Sequence, residues 1–285
     1  MNTEPFQECY LQACLLELKA IKPGNVGYHA DGHGMKVQQF ELSARVSAPA
    51  LFDPQADSVG ERILNAVGAT HAAVGDNTNL GIIILLAPLA QALINLPADQ
   101  PLQMRLQTLL PALSIEDAVK CYQAINIARP GGMGEVEDQD IGHTPQVSLI
   151  EAMELAAERD TIAREYVSNY QSLFAYNIEI YREYYSQWGS SRWAATAVYL
   201  SQLLRQPDSL IIRKNGLLKA REISDMIAPL ADRVLAATDP LQFENELLLL
   251  DGQLKTSGIN PGTTADMTVA TLFVAKLEEA RGGII

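Results

Sequence analysis

The 285-residue sequence predicts an all-α fold. We expect one domain over residues 1–285, built from roughly ten to twelve helices of ordinary length. Three observations predict it. Apolar residues recur at spacings of three and four through most of the chain. No alternating period-two pattern recurs, and the one strand-like run, Leu210-Ile211-Ile212, is too short to build a sheet. Capping residues and Pro-Gly stops fall at the ends of the periodic stretches.

The elements follow in order. Phe6 to Ile21 places Tyr10, Leu11, Cys14, Leu15 and Leu18 on one stripe, and Pro23-Gly24 stops that helix. Val37 to Ser47 forms a second helix, ended by Pro49. Asp57 or Ser58 caps a third, with Ile63, Leu64, Val67 and His71 at helical spacing. Leu80 to Asn95 is apolar nearly all round and should be central. Ser114 with Asp117 reads as a capping box for a helix to Ala128. Gln146 to Tyr185 carries two or more helices, the second opened by Asp160-Thr161. Tyr170, Tyr176, Tyr181, Tyr184 and Tyr185 suit helix packing. Ser190 to Arg205, Leu217 to Ala228, Pro240 to Lys255 and Thr263 to Arg281 complete the set. Arg129 to Pro145 is the longest irregular stretch, of a length often used for functional lids. There is no internal repeat, low-complexity tract or long linker.

Composition narrows the function. The apolar share of 48% supports a real core. A formal charge of -13 argues against nucleic acid and against anionic membrane. A polyphosphate substrate would bring a divalent cation with it, because 34 acidic groups against 21 basic ones would otherwise repel it. Cys9, Cys14 and Cys121 lack metal-type spacing and suit free buried thiols in a reducing compartment. Met1 to Glu8 has no apolar core for a signal peptide, and Leu80 to Leu96 suits a buried helix better than a membrane span. The expected location is the cytoplasm. Self-association is left open.

Four polar turns carry the candidate chemistry. They are Lys22-Pro23-Gly24-Asn25, Gly75-Asp76-Asn77-Thr78-Asn79, Arg129-Pro130-Gly131-Gly132, and Asn260-Pro261-Gly262-Thr263-Thr264-Ala265-Asp266. Each sets amides, hydroxyls or carboxylates beside glycines, where backbone approaches a ligand closely. Gathered at one end of a bundle, they would form a pocket for a polar, phosphorylated molecule.

Each turn also has a bland reading. His29, Asp31 and His33 have a spacing that can ligate a metal, though a solvated loop has it too. His33 and Lys22 contacting phosphate or base is the intermediate reading. Thr78 or Asn79 can simply cap the apolar helix, which leaves the rest of Asp76 to Asn79 unexplained. A helix N-terminus also attracts anions. Pro130 to Gly134 lacks the ending of a phosphate-binding P-loop, and Glu135, Glu137, Asp138 and Asp140 suit a solvated face or a single metal ligand. Thr263 or Thr264 can cap the last helix, with Asp266 in its first turn.

These residues, scattered from about Leu15 to Leu277, resemble the triphosphoribosyl-dephospho-CoA synthase family. Lys22, Pro23, Gly24, Val26, Gly32, His33 and Met35 look like its first motif. Gly75, Asn77, Thr78 and Gly81 match the second. Arg159, Asp160, Ala163 and Tyr166 look like the middle helix, and Pro261, Gly262, Ala265 and Asp266 like the last motif. The chain departs where the family has His-Lys after Asn-Thr, since Asn79 and Leu80 stand there. Gly27 and Gly34 replace acids of the first motif. These departures are similar to the branch that accompanies one-carbon cofactor enzymes.

The resemblance implies an all-α transferase. It would take ATP, expel adenine and join the triphosphoribosyl group to the ribose 2′-hydroxyl of dephospho-CoA. Asp266 and Asp160 would then serve as base or Mg²⁺ ligand. Lys22 would meet phosphate, and His33, Asn77 and Thr78 would orient the nucleotide. Gly24, Asn25, Gly75, Asn79, Arg159 and Thr264 complete the expected nucleotide site. Two alternatives stand beside this reading: a family member acting on another phosphorylated or pterin-type precursor, and a helical nucleotide-binding protein without turnover.

Overall fold

The computed structural model describes residues 2–130 and 143–282. Among them are fourteen α-helices and no β-strand. The helices are α1 (Glu4–Lys19), α2 (Val37–Leu51), α3 (Val59–Val74), α4 (Leu80–Asn95), α5 (Leu102–Leu109), α6 (Ile115–Ala128) and α7 (Leu149–Ala156). There follow α8 (Thr161–Val167), α9 (Ile178–Trp188), α10 (Ser191–Arg205), α11 (Ser209–Asn215), α12 (Leu217–Leu235), α13 (Glu244–Thr256) and α14 (Gly262–Arg281).

The all-α expectation holds, with more helices than the sequence suggests. The stretch from Gln146 to Tyr185 breaks into α7, α8, a π-helical turn at Leu173–Asn177 and the start of α9. The short α5, with Leu102, Leu106 and Leu109 at helical spacing, is a further helix beyond those expected above. Leu210-Ile211-Ile212 is not strand-like but the first turn of α11. Asp208 decides this, because its Oδ1 accepts from the N–H groups of Leu210 and Ile211 at 2.8 and 3.0 Å. Pro49 does not end α2, which runs on to Leu51.

Other ends follow their local chemistry. Ser58, not Asp57, caps α3 by accepting from Glu61 N–H at 3.2 Å. Ser114 and Asp117 form the expected capping box on α6. Asp117 also accepts from Gly60 N–H at 2.7 Å, tying α6 to α3. The last helix is not capped by Thr263 or Thr264. It begins at Gly262, so both threonines lie in its first turn.

Helix α4 is buried on nearly every side, as its all-round apolar sequence requires. It packs against α2, α3, α5, α6, α8 and α14. The buried apolar side chains form two main clusters. The larger joins α1 to α6 with α4 and α14 at its heart. The second joins α10 to α13 around Tyr199, Ile223, Ile227 and Leu247. Cys9, Cys14 and Cys121 are buried free thiols. Among the described residues, no helix is long and apolar enough to cross a membrane.

Candidate functional site

A cleft of about 640 Å³ opens where the N-terminal ends of four helices converge. Asn79, Leu80 and Gly81 bring α4 to it. Asp160 brings α8, Ser209 and Leu210 bring α11, and Gly262 and Thr263 bring α14. The first residues of a helix carry amide donors without intrahelical partners and the positive end of the dipole. Asp160 caps α8, and Asp208 caps α11 and accepts from Thr264 N–H of α14, so the α4 end is the one without a carboxylate cap and the one that most favours an anionic ligand.

Of the expected catalytic and nucleotide-site residues, Asn25, Asn77, Thr78, Asn79, Arg159, Asp160 and Asp266 line this cleft, and Asn260, Gly262, Thr263 and Ala265 of the last turn line it too. Three of the four polar turns therefore meet. The first and last are also joined directly, because Asn25 Nδ2 donates to Asn260 Oδ1 at 2.9 Å. Of the remaining turn, Pro130 reaches the cleft. Gly131, Gly132, Glu135, Glu137, Asp138 and Asp140 lie outside the described residues.

Plain capping does not explain the Asn77 to Asn79 turn. Asn79 precedes α4, but its side chain makes no cap bond; its Nδ2 donates to Ser47 Oγ at 3.2 Å. The Thr78 hydroxyl pairs with that of Ser43. Asn77 Oδ1 accepts from Leu80 N–H at 3.3 Å and so does part of the capping.

Five expected residues do not line the cleft. Lys22 is fully buried, and its ammonium donates to Glu17 Oε1, to Asn25 Oδ1 at 3.0 Å and to Val26 O at 2.8 Å. All three donors are used, so Lys22 organises the wall and does not reach phosphate. Gly24 is in the left-handed region (φ 86°), where a Cβ would meet Ile259 O and Pro261 Cδ at 2.9 Å. His33 Nε2 donates to Gly24 O at 2.7 Å. Gly75 ends α3 with φ 77°. The Thr264 N–H and hydroxyl both donate to Asp208 Oδ2 at 2.7 Å.

Asp266 has a strongly perturbed carboxyl. Burial pushes its carboxyl well above the usual range, and the neighbouring charges of Asp208, Glu17 and Asp160 push the same way, opposed by Arg213. It lies against the start of α4, where Gly81 leaves it room: a Cβ there would fall 2.0 Å from Oδ2. Asp160 lines the cleft while its Oδ1 caps α8 by accepting from Ala163 N–H at 3.0 Å.

Three cleft residues escape a sequence reading. Glu17 sits on the buried stripe of α1, where only its pairing with Lys22 marks it. Arg213 and Lys214 follow the run misread as strand-like. Both are exposed, line the cleft and make no ion pair with a described residue. With Arg159 they give the acidic chain three cations at this one mouth.

No three His, Cys, Asp or Glu side chains gather as a metal cage among the described residues. His29 lies 3.7 Å from Asp251 Oδ2, and Asp31 Oδ1 accepts from Val37 N–H at 2.9 Å, so the histidine loop makes separate structural contacts. Asp160 and Asp266 both line the cleft, and one or two carboxylates with substrate phosphates are the usual ligands of Mg²⁺.

No curated protein matches the chain. A solved structure from Archaeoglobus fulgidus, provisionally assigned as a triphosphoribosyl-dephospho-CoA synthase, is similar at 26% identity. The match has a TM-score of 0.64 and covers 84% of this chain and 97% of that one. The family model for CitG, ATP:dephospho-CoA triphosphoribosyl transferase, matches residues 3–284. The chain belongs to this transferase family.

Proposed function

We propose that the cleft at the four helix N-termini is where this chain moves a triphosphoribosyl group from ATP to dephospho-CoA, releasing adenine. The convergence of those N-termini with Arg159, Arg213 and Lys214 around Asp160 and Asp266 carries the reading. The cations and the N-terminal end of α4 would hold the triphosphate. Breaking the N-glycosidic bond builds positive charge on the ribose, which carboxylates stabilise. Asp266 would take that task, and the room that Gly81 leaves for its carboxylate beside the start of α4 supports the reading.

Mg²⁺ would be held by Asp266 and Asp160 and would neutralise triphosphate charge. Asn25, Asn77, Thr78 and Asn79 would orient base and ribose through amides and hydroxyls. The α6–α7 wall, with Tyr122, Ile125, Met153 and Leu155, is apolar and suits the uncharged arm of the acceptor.

Adenine release from ATP should require both dephospho-CoA and Mg²⁺. Chromatography of mixtures lacking each component tests this, with EDTA in place of the cation. Release that ignores dephospho-CoA would remove the acceptor assignment, and release undiminished by EDTA would remove the cation.

A further inference from the structure

We propose that Glu17 is a catalytic carboxylate of this transfer, the group that takes the proton of the acceptor's attacking hydroxyl. The proposal rests on the activity assigned to the cleft. Glu17 lines that cleft although its residue is only 5% exposed. Burying a charged pair is costly, and apolar side chains at such places usually stabilise as well or better. A glutamate placed there for packing alone has little physical justification.

The ion pair commits one carboxylate oxygen and leaves the other. Lys22 holds Glu17 Oε1 and, with its other donors, Asn25 and the Val26 carbonyl. Glu17 Oε2 receives no hydrogen bond from a described residue. Glu17 also lines a void of about 10 Å³, shared with Tyr10, Thr78 and Asn79. It is about the size that one water needs.

The other carboxylates at the cleft or behind its wall are less suited. Asp208 spends both oxygens on α11 and Thr264. Asp160 spends one on capping α8. Asp266 has carboxylates for neighbours and fits a cation ligand. Glu17 already has its own cation in Lys22 and needs no other.

The step balances. The acceptor 2′-hydroxyl oxygen bonds to ribosyl C1′ as the bond from C1′ to adenine N9 breaks. That bond's electron pair leaves with adenine, which takes up one proton from solvent. The hydroxyl proton passes to Glu17 and from there to solvent.

Glu17→Gln alone leaves a buried lysine poorly paired, so the test uses Glu17→Gln combined with Lys22→Met, and separately Glu17→Asp. Melting temperature, calorimetric affinity for ATP and for dephospho-CoA, and kcat for adenine release are measured on each. We expect the folded double variant to bind both nucleotides within about threefold of wild type while kcat falls about 100-fold or more. Glu17→Asp, which keeps the charge and shortens its reach, should lose about tenfold in kcat with its melting temperature retained. A folded variant with kcat near wild type overturns the proposal, as does a loss confined to nucleotide affinity. Those results leave the transfer itself standing. Absence of adenine release from wild type overturns the activity and this proposal together.

Discussion

Asp266 occupies the space that any side chain on Gly81 would need. A Cβ on Gly81 would lie 2.0 Å from Asp266 Oδ2 and 2.6 Å from its Cγ. Helices α4 and α14 are in contact, and this glycine lets the carboxylate rest against the first turn of α4. By helix propensity alone, Gly81→Ala would stabilise α4 by about 1 kcal/mol. The clash makes the opposite outcome the expected one. Gly81→Ala should displace the Asp266 carboxylate and lower kcat by about tenfold or more, since small misplacements of a reacting group cost that much. In an Asp266→Asn background the alanine should add little further loss. A double-mutant cycle on kcat checks this, and fully additive losses would show that the two residues act separately.

Most of the fold was legible because helix periodicity and caps are local. The site was legible where a turn carries several polar residues that packing does not explain, as at Asn77 to Asn79. Lys22 shows the limit. A lysine beside Pro-Gly looks like a phosphate contact, yet the chain folds it inward onto Glu17, five residues earlier and on an apparently apolar stripe. Leu210-Ile211-Ile212 shows another. Its helix depends on the Asp208 cap, which also holds Thr264 of α14, and that second contact is not visible in sequence. Arg213 and Lys214 were hidden with it. They supply positive charge to a site where Leu80 stands in place of the family's lysine.

Asp266→Asn should separate stability from activity. Burial and nearby acids raise the folded-state pKa of Asp266 above its unfolded value. The folded chain therefore binds more protons than the unfolded chain between those two values. Stability contributed by this group is lost as pH rises through the raised folded value. Asn removes that loss, so at pH 8 the variant should melt no lower than wild type, with a shallower decline in melting temperature with pH. Glu17 and Asp208 are raised too, so some decline should remain. Turnover should fall by about 10²–10⁴-fold. Melting curves from pH 5 to 9 and adenine release on one preparation check both halves. Near-normal turnover with a lower melting temperature would reduce Asp266 to a helix-dipole contact.

The cations at the mouth should act on ATP and not on the fold. Arg213 and Lys214 have no ion pair with a described residue, and among the described residues Arg159 makes one long bond, to Leu155 O at 3.3 Å. Replacing each by Ala should leave the melting temperature unchanged. Each should raise the KM for ATP about tenfold, the size of one charge-assisted contact of about 1.5 kcal/mol. The effect should shrink as salt rises from 0.05 to 0.5 M, because these side chains are exposed and screened. Unchanged KM in all three variants would place the triphosphate elsewhere in the cleft.

The apolar wall should discriminate between the two substrates. ATP and dephospho-CoA share adenosine and phosphates, and only the acceptor adds a long uncharged arm. Leu155 is 49% exposed yet lines the cleft, and Met153 is half-buried beside it on α7. Exposed apolar groups facing a cleft gain most from a ligand that covers them, about 25 cal/mol per Å². Leu155→Asn and Met153→Gln should each raise the KM for dephospho-CoA by about five- to tenfold, corresponding to about 1 kcal/mol of lost burial. The KM for ATP should stay within about twofold, since no charge is changed and the basic mouth is intact. With ADP as a truncated acceptor, which lacks the arm, both variants should match wild type in any residual transfer. Steady-state kinetics with each substrate varied in turn makes the comparison. A rise in the KM for ATP instead would assign the wall to the donor's adenine and move the acceptor arm to the opposite side, beside Val26, Met35 and Phe40.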